Sequence, residues 1–240
     1  MPRLAQFTLA ALLLATLALA APPGARAADF VIIDSTDSAL AAGAVVSGGA
    51  TLTVAAGAKV VLISDSGERK EVSGPFSGSL DGGGGGGGGK AGVASALSQL
   101  IAGRSASTNF VGATRSATAS APDSPYAIEP ARADDHCAPP GGAPDLQRKP
   151  SRKSMKISLK HVASKAEANV KWPPGVAVIP WPGEVPLVDG DTYVAKIGRK
   201  SAKFVLHRVP EGLVSDAHRA VWMAEHGCEV QARMLIAAMR

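Results

Sequence analysis

Cysteine and aromatic side chains are scarce in this 240-residue chain, and each scarcity removes a class of function. The two cysteines, Cys137 and Cys228, lie far apart, and neither has the two-residue spacing to a second cysteine that marks a zinc knuckle. Aromatics make up 4% of the residues, too few to interleave exposed stacking platforms with basic residues, which argues against nucleic acid as a partner. No Gly-x-Ser-x-Gly elbow follows residue 27, so the commonest signature of a serine hydrolase is missing. Asp189-Gly190-Asp191 opens like a calcium loop but lacks the third ligand and the later Glu, and reads instead as a turn. The eight glycines Gly82 to Gly89 lead to Lys90-Ala91-Gly92 rather than Lys-Ser/Thr, which excludes a phosphate-binding loop and reads as a flexible linker.

Long apolar runs are equally rare, and the one present is N-terminal. Met1-Pro2-Arg3 supplies a positive start, Leu4 to Ala21 is rich in Ala and Leu, and Ala25-Arg26-Ala27 forms a small-x-small cleavage site. That layout predicts a signal peptide over 1–27 and a periplasmic or secreted mature chain beginning near Ala28. Thr8 and Thr16 interrupt the run and Pro22-Pro23-Gly24 ends it, so no stable membrane insertion is expected after cleavage.

Charge is divided unevenly along the chain. Residues 28–80 carry 3 basic and 6 acidic side chains, whereas 145–240 carry 16 and 9, which predicts two units with different surfaces. Within 28–80, short apolar runs (Phe30–Ile33, Thr51–Val54, Lys59–Ile63) alternate with glycine breaks, the pattern of small β structure. Residues 81–135 read as a Gly/Ser/Ala/Pro-rich connector with a short helix over 93–102; its Gly112-Ala113-Thr114-Arg115 segment has no assignable role.

From 136 the strands return. Met155, Ile157 and Leu159 alternate with Lys156, Ser158 and Lys160, and Tyr193, Ala195 and Ile197 face a returning run with Phe204 and Leu206, as in an antiparallel hairpin. Trp172, Trp181 and Trp222 are the expected packing anchors. Ser215 or Asp216 caps a closing amphipathic helix expected over 215–239, with Gly227 an unusual mid-helix residue. The fold class expected is therefore mainly β: a small N-terminal β roll or sandwich (28–80), a Gly-rich connector, and a C-terminal β domain (136–240) closed by one helix.

The order Gly43, Val45, Leu52, Gly57-Ala58, Val60, Leu62, Gly67, Val72, Gly74-Pro75 resembles the FecR-like β modules of bacterial envelope proteins. The resemblance covers residues 30–76. It implies a small β module in the cell envelope and transfers no catalytic residue.

Three sets of residues remain as candidates for chemistry. In an oxidising compartment Cys137 and Cys228 are expected to pair as a disulfide. The alternative is a zinc or copper site from His136, Cys137, His226 and Cys228; His226 and Cys228 lie roughly 200° apart around a helix, which disfavours it. His161, His207 and His218 read as ordinary surface or half-buried histidines. Arg152, Lys153, Lys156, Lys160 and Lys171 form a basic stretch that either guards a sheet edge or contacts an acidic envelope polymer or anionic lipid. If it is a site, the lysines should share one face with Lys203. The functional expectation is an exported, non-enzymatic binding or scaffold module without a cofactor, its partner an envelope protein or polymer. The alternative is an enzyme or binding protein acting on an acidic envelope polymer through the basic C-terminal domain.

Overall fold

The computed structural model of the protein describes residues 28–80, 92–108 and 124–240. The expected signal peptide 1–27, the glycine run 82–89 and the Gly112–Arg115 segment lie outside the described residues. The architecture is mainly β, with three helices.

The N-terminal part is built on two strands that are apolar on both faces. β1 (Phe30–Ser35) and β4 (Lys59–Ser64) pair antiparallel at the centre of a sheet flanked by β2 (Val45–Val46) and β5 (Arg69–Ser73). Phe30, Ile32, Val60 and Leu62 face a ribbon of β3 (Thr51–Val54) and β6 (Phe76–Ser79). The alternate residues Val31, Ile33, Val61 and Ile63 face the opposite way and are also fully buried. A near-continuous apolar run is the mark of a strand covered on both sides, and here the second cover is helical. α1 (Val93–Thr108) buries Ala94, Leu97 and Ile101 against it. Asp65, in the turn after β4, receives the Ala94 amide at 3.0 Å and the Asp29 amide at 3.3 Å, tying the helix to the sheet.

The C-terminal part has a five-stranded sheet in the order β10-β9-β12-β13-β7. β9 (Met155–His161), β10 (Glu167–Trp172), β12 (Asp191–Ile197) and β13 (Lys200–Arg208) are antiparallel neighbours, and β7 (His136–Ala138) lies parallel to β13 at the edge. Its inner face buries Ile157, Leu159, Trp172, Tyr193 and Phe204 beneath a ribbon of β8 (Asp145–Gln147) and β11 (Val178–Pro180). Trp172 and Trp181 are buried and donate their indole N–H to the Val176 and Val185 carbonyls at 3.0 and 2.8 Å. Trp222 is only half-buried and stacks on His226.

Two expectations about the C-terminus are corrected. The helix expected over 215–239 is divided into α2 (Asp216–Glu225) and α3 (Glu229–Ala238). Gly227 stands between them at φ +78°, its amide bonding the Ala224 carbonyl at 3.1 Å while the Cys228 amide reaches Met223 at 2.8 Å. That pair of bonds is a Schellman ending, which needs a left-handed residue after the helix cap. Nor do these helices close the five-stranded sheet alone. Ala217, Ala220, Met223, Ala232, Leu235 and Ile236 share one core with α1 and with Val31, Ile33, Val61 and Ile63. The N-terminal sheet and the C-terminal helices therefore share a core, where separate units were expected.

Cys137 in β7 and Cys228 at the start of α3 form a disulfide across a sequence separation of 91. Beside it, the buried Gln231 side chain grips the Cys137 backbone twice, accepting from its amide at 2.7 Å and donating to its carbonyl at 2.9 Å. Gly227→Ala is expected to cost about 1–2 kcal/mol for the left-handed backbone alone, and a Cβ there would lie 2.8 Å from the Asp135 carboxylate. A lowered denaturation midpoint in urea measures it; an unchanged midpoint would contradict the Schellman assignment.

Candidate functional site

Strand periodicity sorts the side chains of the five-stranded sheet onto two faces. The face opposite the buried core carries Lys156 and Lys160 of β9, Lys171 of β10, Lys196 of β12 and Lys203 of β13. The register fixes their spacing. Lys171 lies directly opposite Lys156, and Lys160 and Lys203 flank Val194 on the two neighbouring strands. With strands about 4.8 Å apart, the lysines spread across roughly 15 Å. The four strands place one carboxylate among them, Glu167, which accepts from Ser158 at 2.7 Å. None of the five lysines has an ion-pair partner among the described residues.

Arg152 and Lys153 are exposed in the loop before β9, at the end of the sheet where Gly198 of the β12–β13 turn comes near Met155. They extend the basic field beyond the strands. Arg148 is used differently: it sits 4.9 Å over the Trp172 ring and donates to the Pro173 carbonyl at 3.0 Å. Two features of the field were not read from the sequence. Lys196 is one, and it follows from the same alternation once β12 is paired with β9. The other is the direct Lys156–Lys171 opposition, which needed the register.

The histidines have structural partners. His161 is buried, with Nε2 2.8 Å from Asp191 and Nδ1 2.7 Å from Ser164. Ser, His and Asp are thus in contact, but Ser164 belongs to the tight turn after β9, and neither the cavity beside the start of α3 nor the one between α1 and α2 includes them. His218 meets Ser215, the cap of α2, at 2.8 Å, and His226 contacts the Trp222 carbonyl at 2.7 Å. His207 lies 3.8 Å from Asp135. The alternative metal set is overturned: the Cys137 and Cys228 sulfurs are bonded to each other, so His136 and His226 have no thiolates to join. Burial instead pushes His136 down to about 4, keeping its ring neutral.

No protein-family model, curated protein or solved structure matches the chain.

Proposed function

We propose that the protein is an exported, non-enzymatic binding module of the cell envelope that holds an acidic polymer on the lysine face of its five-stranded sheet. The observation that carries this reading is the predominantly basic face: five lysines and one carboxylate, Glu167 opposite Lys160, with Lys156 and Lys171 set against each other. Edge protection accounts for Lys171 on the outer strand β10 and for Lys203, because β7 pairs only with Leu206–Arg208 of β13, but not for Lys196 on the inner strand β12. Like charges directly opposite on a sheet are destabilising by a few tenths to about 1 kcal/mol, and a bound polyanion relieves that cost. The secretory pattern of residues 1–27 and the FecR-like order of 30–76 support the envelope as the setting.

The second reading, an enzyme acting on an acidic polymer, is favoured by one observation, a cavity that holds His136. Its lining includes Glu129, Asp134, Asp135 and Glu229, which repel an acidic chain, so the cavity and the lysine face do not serve one substrate.

Lys156→Glu with Lys196→Glu tests the proposal. Both side chains point to solvent, and Lys156→Glu sets a carboxylate opposite Lys171, so stability should stay within about 1 kcal/mol per site. Affinity for immobilised heparin at low salt should fall several-fold while the circular dichroism spectrum stays strand-dominated. Unchanged affinity would refute the face as the site.

A further inference from the structure

Three side chains at one end of the five-stranded sheet stand in the order hydroxyl, imidazole, carboxylate. Ser164 Oγ lies 2.7 Å from His161 Nδ1, and His161 Nε2 lies 2.8 Å from Asp191 Oδ2. A carboxylate only accepts, so the Asp191 contact puts the ring proton on Nε2. Nδ1 then holds the lone pair, and the Ser164 hydroxyl donates to it. The Ala166 amide donates to the same Oγ at 3.3 Å. The order is that of a nucleophile, its base and the group that orients the base.

The base is fixed and the nucleophile is open. His161 is buried and its ring lies tilted on Tyr193, with centroids 4.9 Å apart. Tyr193 is held in turn, its hydroxyl donating to the Pro186 carbonyl at 2.8 Å and accepting from the Val188 amide at 2.9 Å. Ser164, by contrast, is exposed in the turn between β9 and β10. Two of the five exposed large apolar residues among the described ones, Val162 and Val188, border the carboxylate. The Val162 amide bonds the Thr192 carbonyl, and the Val188 carbonyl accepts from the Asp191 amide. Ser215 supplies the contrast within the same chain. Its Oγ lies 2.8 Å from His218 Nδ1, but among the described residues no carboxylate is paired with that ring.

We propose that Ser164 is an acyl-acceptor site that takes a short aliphatic acyl group from an activated ester. Oγ attacks the carbonyl carbon, and the hydroxyl proton passes to His161 Nδ1. Asp191 holds the resulting imidazolium through Nε2–H. The carbon–oxygen bond to the leaving group then breaks, and that oxygen departs with the electron pair and takes the proton from Nδ1. The products are a serine ester and a free alcohol, with nothing oxidised or reduced. Val162 and Val188 give the acyl chain an apolar surface. The site stands whether or not the lysine face binds a polymer.

The test is incubation of the whole protein at neutral pH with p-nitrophenyl butyrate, followed by peptide mass mapping. The expected result is one butyryl group on Ser164, released by alkaline hydroxylamine, which cleaves serine esters and leaves lysine amides intact. Ser158, bonded to Glu167 without a histidine, and Ser215 should stay unmodified over the same time. That comparison lies within the unmodified protein and needs no variant. Ser164→Ala, a change at an exposed position and so compatible with folding, should remove the ester. Asp191→Asn should slow its formation by about a hundredfold, the lower end of general-base assistance. No ester on Ser164, an equal rate at Ser215, or an unchanged rate in Asp191→Asn would overturn the proposal.

Discussion

Replacing Cys137 and Cys228 together by Ala is expected to lower the unfolding free energy by about 4–5 kcal/mol, the chain-entropy value for a loop of this length. The loop spans 91 positions and contains the whole five-stranded sheet. In the oxidised protein the unfolded ensemble cannot separate β7 from α3, and the double variant frees it to do so. Domains of this size have about 5–15 kcal/mol in all, so the loss is a large share of the total. The effect is compounded locally, because the bridge joins the edge of that sheet to the core shared by α1, α2, α3 and the N-terminal sheet. Urea denaturation of the two forms measures it. A difference below about 1 kcal/mol would show that Gln231 and the shared core hold β7 without the covalent link.

Acid should weaken the fold through His136 before it protonates most carboxylates. The ring is held neutral down to about 4, against 6.5 for a free histidine, chiefly because burial penalises the charged form. Asp134 and Asp135 oppose that effect and Arg132 adds to it. A depressed pKa means that the unfolded chain takes up the proton first. The stability contributed by the neutral ring is therefore complete above 6.5 and falls as pH drops towards 4. At about 1.4 kcal/mol for each pH unit between the folded and unfolded pKa, the loss over this window is of order 3 kcal/mol. His136→Phe keeps an aromatic against Phe204, whose ring centroid lies 5.0 Å away, and removes the titrating group. Its stability should be flatter between pH 6.5 and 4 than that of the unmodified protein. Parallel pH profiles for the two would rule out a buried neutral His136.

How far the fold was legible depended on the element. Strands with one wet face declare themselves by alternation, and Met155–His161, Asp191–Ile197 and Lys200–Arg208 fold where that alternation placed strands. The helical cover of the N-terminal sheet was not read, although its sign was present. Phe30–Ile33 and Lys59–Ile63 are apolar on both faces, and the β3–β6 ribbon covers only one. A stripe such as Ala94, Leu97 and Ile101 states that a helix buries a face but not which surface receives it. Gly227 was visible as an anomaly in a helical pattern, and its physical meaning was the ordinary one of a helix ending. At the sites, alternation alone showed Lys156 and Lys160 pointing outward, while the gathering of Lys171, Lys196 and Lys203 beside them depended on long-range register. The cavity was beyond reach, since it joins the segment 127–136 to α3 across most of a domain.

The lysine face is the centre of the functional account, and the salt dependence of polyanion binding tests it most directly. Each lysine that neutralises an anionic group releases or screens counterions, and exposed charges lose their reach beyond about 8 Å at physiological ionic strength. Heparin affinity measured from low to high salt should fall steeply, and the slope of log affinity against log salt should shrink in Lys156→Glu, Lys196→Glu by roughly one for each lost contact. A slope near zero, or one unchanged by the two substitutions, would contradict the account.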